Sequence, residues 1–204
     1  QFVEVMNLEE FGNALFIDHE IQVAEKDEKI YSSTFFKSSY DLSKKNSNVA
    51  IIGGGDGGVA RECLENNTSY IDWYELDPEI VESCYRHLPK ICSKVKKSNS
   101  VNTFWGDAFE SIKAVEDSKY DKIFVDLNDD QYCIDLARKN MKGLQRILKP
   151  GGVITAQVGS KDKKPKQVEN WCKILEKSFG NVTVSGAHIP SFDCNWNFAS
   201  SILK

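Results

Sequence analysis

Hydrophobic and polar positions follow two different patterns along the chain. Over the first 25 residues, short apolar runs at 2–6, 14–17 and 21–23 alternate with polar turns at Phe11-Gly12-Asn13 and Asp18-His19-Glu20. Runs of that length between turn residues predict a small antiparallel sheet. Such a sheet does not fold alone. It is expected either to lie against the rest of the chain or to continue into strands preceding residue 1. A helix is predicted over 25–40, with Ile30, Phe35 and Phe36 among its apolar residues, followed by a polar linker at 42–48.

From residue 49 the pattern changes. The run Val49-Ala50-Ile51-Ile52 is wholly apolar, as a parallel strand buried on both faces requires. Further strands are predicted at 70–75, 101–105, 120–125 and 153–157. Helices are predicted at 59–65, after Asp77-Pro78, from Gly106-Asp107-Ala108 to about Val115, at 131–148 and at 166–179. Pro78 suits a first helical turn, where its missing N–H is not needed, and Lys149-Pro150-Gly151-Gly152 breaks the helix before it. Runs at 182–185 and 198–202 add late antiparallel strands. Repeated strand–helix units predict an α/β fold: an open, mostly parallel sheet with helices on both faces. The expected division is a partial N-terminal β-domain at 1–25 and an α/β domain at 26–204.

Composition narrows the function classes. The 204 residues carry 26 Lys and Arg against 30 Asp and Glu, a formal net charge of −4. That balance is ordinary for a globular chain and opposes wholesale coating of nucleic acid. No stretch reaches the 18 apolar residues of a membrane span. The start has neither a basic region nor a signal-like apolar core, and it lacks Met, so a fragment or trimmed chain is expected. Six widely spaced cysteines form no Cys-x-x-Cys pair and read as reduced thiols of a cytoplasmic protein. His19, His87 and His188 show no metal-ligand spacing, and no metal is expected. The four tryptophans read as core or edge packing, the Lys-rich segments 94–97 and 161–166 as solvated loops, and Tyr74 as pointing away from the face of Glu75.

Ligands of an open parallel sheet bind beyond the carboxyl ends of its strands. There the sequence places Gly53 to Gly58, then Glu75 and Asp77, then Asp107, then Asp126 to Asp130. Gly53 and Gly55 let a ligand approach the first helix closely. The loop lacks the Gly-Lys-Ser/Thr ending of a phosphate-binding Walker loop. Glu75 closes a strand about twenty residues later, the spacing for a carboxylate on ribose hydroxyls. A nicotinamide cofactor and an adenosyl-sulfonium both fit that far. Asp56 separates them: a carboxylate inside the glycine loop repels a diphosphate, repels the carboxylate of an amino-acid moiety and attracts an ammonium. Asp126 and Asp129 add negative charge across the cleft, and clustered carboxylates raise one another's pKa. The residues thus describe a pocket for an adenosine-bearing sulfonium and one or more amines.

The motifs resemble the spermidine synthase family of polyamine aminopropyltransferases. The resemblance rests on Gly12-Asn13, Asp18, Ile21-Gln22, Glu25-Lys26-Asp27-Glu28 and Tyr31, then Gly53-Gly54-Gly55-Asp56-Gly57-Gly58-Val59. Glu75-Leu76-Asp77, Gly106-Asp107-Ala108, Asp126-Leu127-Asn128-Asp129, Pro150-Gly151-Gly152, Gln157 and Ile189-Pro190-Ser191-Phe192 continue it in order. It implies a Rossmann-like, methyltransferase-type sheet with a small antiparallel N-terminal β-domain, here lacking its first strands. It implies transfer of an aminopropyl group from decarboxylated S-adenosylmethionine, a co-substrate, to an amine such as putrescine, giving spermidine and methylthioadenosine in a homodimer or larger homo-oligomer. Carried over by position, Asp56 holds the aminopropyl ammonium, Gln22 lies in the donor region, Glu75 binds ribose and Asp107 with Ala108 recognises adenine. Asp126 deprotonates the amine, helped by Tyr31, which with Asp129 and Gln157 also binds the acceptor.

The chain departs from the family pattern on the acceptor side. Asp126-Leu127-Asn128-Asp129-Asp130 replaces Asp-Ser-Ser-Asp-Pro, Phe192 stands for a tyrosine, and Ser32, Ser33 and Lys37 replace Gln, Glu and His. Lys37 is expected to bring positive charge toward the cation site. Two other readings therefore compete with catalysis of polyamine synthesis: a noncatalytic relative acting through oligomerisation, and a small-molecule methyltransferase, which Asp56 disfavours.

Overall fold

The computed structural model describes residues 2–39, 47–66 and 68–204. Strands β1 (Val3–Leu8), β2 (Gly12–Ile17) and β3 (Glu20–Ala24) form an antiparallel sheet in the order β1-β2-β3. The expectation that this sheet needs support is met. Leu15, Ile17 and Val23 are buried against Ile80, Cys84, Leu88, Ile91 and Cys92, which lie on α3 (Pro78–His87) and α4 (Pro89–Lys96) or between them.

Helix α1 (Glu28–Lys37) is shorter than the predicted 25–40. Its start is displaced because the preceding residues are held elsewhere. Glu25 N donates to Asn13 O at 3.0 Å, and the buried Asp27 accepts from Ser191 N at 2.7 Å and Ser191 Oγ at 3.1 Å. Residues 40–46, which include Tyr40 and most of the linker expected at 42–48, lie outside the described residues.

The remaining strands are β4 (Asn48–Gly53), β5 (Tyr70–Glu75), β6 (Val101–Trp105), β7 (Tyr120–Asp126), β8 (Leu148–Gly159), β9 (Val182–Ile189) and β10 (Cys194–Ile202). They form one seven-stranded sheet in the order β6-β5-β4-β7-β8-β10-β9. The pairs from β6 to β8 are parallel, and β10 is antiparallel to both β8 and β9. Helices α2 (Gly58–Glu65), α5 (Ala108–Ser111), α6 (Gln131–Ile147) and α7 (Pro165–Phe179) complete the α/β architecture. Among the described residues no helix is long and apolar enough to cross a membrane.

The two faces of the sheet are separate cores, and strand alternation assigns residues to them. Ala50, Ile52, Ile123 and Val125 pack with α6 and α7 residues such as Leu144 and Trp171. Val49, Ile51, Trp73 and Phe124 pack with Phe35 and Phe36 of α1 and Val59 and Ala60 of α2. Tyr74 turns to the face opposite Trp73, as alternation predicts, and its hydroxyl is 2.6 Å from that of Tyr120.

Two predicted segments change character. Lys94 and Lys96 belong to the last turn of α4, a helix begun by Pro89 where a solvated loop was expected. The predicted helix to about Val115 is a single α turn followed by a 3-10 turn at Ile112–Ala114.

A buried ion cluster fastens α1 to α2. Arg61 donates to Glu28 at 2.6 and 3.0 Å and to Glu62 at 2.9 Å, with all three side chains at most 7 % exposed. Ser32 Oγ also donates to Glu28. Arg61→Met leaves two buried carboxylates without their counter-charge and is expected to lower the unfolding free energy by about 3 kcal/mol. Urea denaturation measures this. An unchanged midpoint would show that the cluster does not hold α1.

Candidate active site

The sheet changes direction of travel between β4 and β7, and a cleft opens at their carboxyl ends, where such folds bind ligands. Its volume is about 570 Å³. The carboxyl ends of the two strands touch through backbone, with Gly53 paired to Asp126. A Cβ at Gly53 (φ +81°) would sit 2.3 Å from Asp126 O, and one at Gly54 (φ +71°) 2.9 Å from Asp126 Oδ2. Gly54 N donates to that same carbonyl at 2.9 Å, and Trp73 Nε1 donates to Gly53 O at 2.7 Å. Gly55 in turn faces Ile80 and Glu75. Glycine is therefore dictated by close approach as well as by positive φ.

Asp56 sits at the entrance to α2 and accepts from Gly58 N at 2.6 Å. The anion-attracting end of this helix is thus already furnished with its own carboxylate. Burial raises the Asp56 pKa well above the ordinary carboxylate value, and the charges of Asp126 and Glu28 raise it further.

Tyr31, on α1, donates from its hydroxyl to Asp126 Oδ1 at 2.6 Å. Phe198 meets the Tyr31 ring edge-on at 5.0 Å between centroids, and Phe192 does so at 6.2 Å. Burial pushes the Asp126 carboxyl up to about 6; the Tyr31 hydrogen bond pulls it back and the Glu75 charge adds to the rise. Tyr31 itself is held protonated, chiefly by burial and then by the Asp126 charge.

Toward the N-terminal sheet the cleft has apolar walls from Leu15, Ile17, Ile21, Leu76 and Ile80, with Glu75 among them. Glu75 is 7 % exposed and accepts from Asp77 N at 3.1 Å. Burial raises its pKa. Gln22 lines the cleft, and its amide donates to Glu20 O at 3.0 Å. Asp107 and Ala108 stand apart from the lining residues. Asp107 caps α5 by accepting from Phe109 N at 2.8 Å, beside the point where Gly106 N bonds Glu75 O at 2.9 Å.

Asp129, Asp130, Gln157, Phe192 and Trp196 also line the cleft. Gln157 lines the cleft, but its amide is committed to the protein. It donates to Leu127 O and accepts from Gly159 N at 3.0 Å and Trp196 Nε1 at 3.2 Å. Asp130 caps α6 by accepting from Cys133 N at 2.7 Å. Trp196, read from sequence as packing, is a cleft wall.

Lys37 is exposed in the last turn of α1, and it is not among the cleft-lining residues. Positive charge reaches the cleft instead from Lys163 and Lys164, in a segment expected to be solvated. Lys163 Nζ donates to Phe192 O at 2.7 Å and Lys164 Nζ to Asp129 at 3.0 Å. A Lys-rich run gives no sequence signal for this, because the direction of the run is set by strands distant in sequence.

Taken together, the sheet order, the glycine loop and the ring of acids define a Rossmann-like fold with an anionic cleft. Residues 28–203 match the family model described as the spermine/spermidine synthase domain, and the chain belongs to that family. It is 28 % identical over 201 residues to a polyamine aminopropyltransferase of Korarchaeum cryptofilum (strain OPF8), covering 98 % of this chain and 62 % of that protein. It is 31 % identical over 210 residues to one of Prochlorococcus marinus (strain NATL1A), covering 98 % and 72 %. The fold is that of a spermidine synthase crystallised with the transition-state analogue AdoDATO, at a TM-score of 0.91 and 19 % identity, over 99 % of this chain and 70 % of that one. The spermidine synthase of Thermotoga maritima gives a TM-score of 0.90 at 19 % identity, over 99 % and 69 %.

The raised Asp126 pKa has a consequence for stability. An acid whose pKa rises from 3.8 to about 6 on folding favours the fold below its unfolded value, and that contribution is lost as pH rises through about 6. Asp126→Asn is therefore expected to gain stability relative to the parent between pH 4 and pH 7 and to hold a constant advantage above that. Urea denaturation across this range checks it; a difference independent of pH would mean that the carboxyl titrates normally.

Proposed function

We propose that the protein transfers an aminopropyl group from decarboxylated S-adenosylmethionine to an amine, with putrescine as acceptor and spermidine and methylthioadenosine as products. The observation that carries this reading is the half-buried Tyr31–Asp126 hydrogen bond in a cleft shared with Asp56 and Glu75. Buried carboxylates that raise one another's pKa are relieved by a bound cation, and both reactants are cations. The apolar walls beside Glu75 suit an adenosine, with Glu75 on the ribose, Gln22 nearby, and Asp107 and Ala108 on the adjoining rim for adenine. Asp56 on the α2 entrance suits an ammonium and opposes a methionyl carboxylate.

The chemistry is a direct substitution. An acceptor ammonium titrates near pH 10, like lysine, so it must first lose a proton. Asp126 takes that proton on Oδ2, because Oδ1 is occupied by the Tyr31 hydroxyl. The freed nitrogen pair forms the N–C bond, the C–S bond breaks, and its electrons return to sulfur as neutral methylthioadenosine leaves. Sulfonium needs no acid to depart, so the protein's task is alignment and proton removal. Gln157 supports the site by fixing Leu127 and Trp196. Residues 1–25 are assigned to the N-terminal β-domain and 26–204 to the catalytic domain. A homodimer or larger homo-oligomer in the cytoplasm completes the reading.

The direct test uses the full-length protein with decarboxylated S-adenosylmethionine and putrescine, following methylthioadenosine and spermidine by mass spectrometry. Product is expected; donor bound tightly with no amine consumed would favour a noncatalytic relative. Asp126→Asn is expected to lower kcat by at least about 10²-fold while donor binding survives, and near-normal turnover would remove Asp126 as the base. Asp56→Asn is expected to weaken the decarboxylated donor and narrow its advantage over S-adenosylmethionine in competition binding. Equal discrimination in both proteins would exclude Asp56 from the ammonium site.

A further inference from the structure

The cleft already contains a tethered cation. Lys164 precedes α7 and donates to Asp129 Oδ2 at 3.0 Å, and both residues line the cleft that contains Asp126. The segment that carries Lys164 is anchored by three hydrogen bonds to residues 192–197. Lys161 N bonds Asn197 Oδ1 at 2.8 Å, Asn195 Nδ2 bonds Asp162 at 2.8 Å, and Lys163 Nζ bonds Phe192 O at 2.7 Å.

The two partners differ in freedom. The Asp129 side chain is 18 % exposed and that of Lys164 is 49 % exposed. Asp129 is thus a fixed carboxylate, whereas Lys164 ends in an ammonium on a flexible stem that reaches water. Two ammonium groups on one carboxylate repel each other at contact distance. A second cation entering the cleft therefore binds Asp129 best once Lys164 has swung out.

We propose that Lys164 is a specificity-determining residue that competes with the far ammonium of a diamine acceptor for Asp129, selectively weakening diamines against amines with an uncharged far end. The proposal rests on the aminopropyl-transfer reading for the identity of the acceptor. A partly exposed ion pair is closed roughly fivefold over open, and apparent affinity falls with the fraction of sites that are competent. The handicap on a diamine is therefore about fivefold. An amine with an uncharged far end does not need Asp129 and escapes it.

The test is isothermal calorimetry of the full protein with methylthioadenosine present, titrating 1,4-diaminobutane and n-butylamine into the parent, Lys164→Met and Lys164→Arg. Lys164 makes no side-chain cap to α7, so the Met variant leaves that helix start intact. Lys164→Met is expected to bind the diamine about fivefold tighter and the monoamine within twofold of the parent. Lys164→Arg keeps both parental values, and adding Asp129→Asn to Lys164→Met abolishes the diamine gain. Unchanged or weaker diamine binding overturns the proposal, as does an equal gain for both amines, which marks a merely structural effect, or the absence of binding by either amine. Methylthioadenosine release by the parent is measured separately from decarboxylated S-adenosylmethionine and diamine. Its absence alongside the expected binding pattern would reject the aminopropyl-transfer reading and leave the competition at Asp129 standing.

Discussion

The backbone contact between Gly53-Gly54 and Asp126 is the constraint on which the site depends. It joins the carboxyl ends of β4 and β7, the two strands between which the sheet reverses its direction of travel. A side chain at Gly53 would collide with the Asp126 carbonyl at 2.3 Å. Without this approach the carboxylates of Asp56 and Asp126 would not share one low-dielectric cleft. Burial is the leading cause of both raised pKa values; the Asp126 charge then lifts Asp56 and the Glu75 charge lifts Asp126. The strain of such crowding persists only where the surrounding structure enforces it, and the Trp73 indole beneath Gly53 is part of that enforcement.

The cleft's acids require a compensating scaffold. Helix α1 carries Tyr31 to Asp126, and its position depends on Glu28 meeting Arg61 of α2. Glu28 contributes to the field at Asp56 and is itself neutralised by Arg61. Asp27, one residue earlier, holds Ser191 and so fixes Phe192 against Tyr31 and Trp196. A short run on one helix therefore links the glycine loop, the Tyr31–Asp126 pair and the far wall of the cleft.

The parallel sheet was legible because β4, β5 and β7 are short, largely apolar runs that end at Gly53, Glu75 and Asp126. The glycine loop, Glu75 and Asp126 were legible for the same reason: the carboxyl end of a buried parallel strand is the one place where a polar residue is both near the core and open to a ligand. Helix α4 was missed because its start, Pro89, is separated from the end of α3 only by Leu88 and its lysines resemble a loop. Asp107 was legible as a strand-end acid, yet its nearest duty in the structure is capping α5.

The sequence by itself determined the order of strands and helices apart from α4, the glycine loop and the set of acids available to the site, because periodicity and residue chemistry are local properties. Tertiary structure decided which charges meet. It sent Lys37 to the surface and Lys164 to Asp129, turned Gln157 inward to Leu127 and Trp196, and made Trp196 a wall of the cleft. Those outcomes depend on β10 lying between β8 and β9, a long-range pairing that brings residues near 160 and 195 together. No local pattern in the chain encodes that distance.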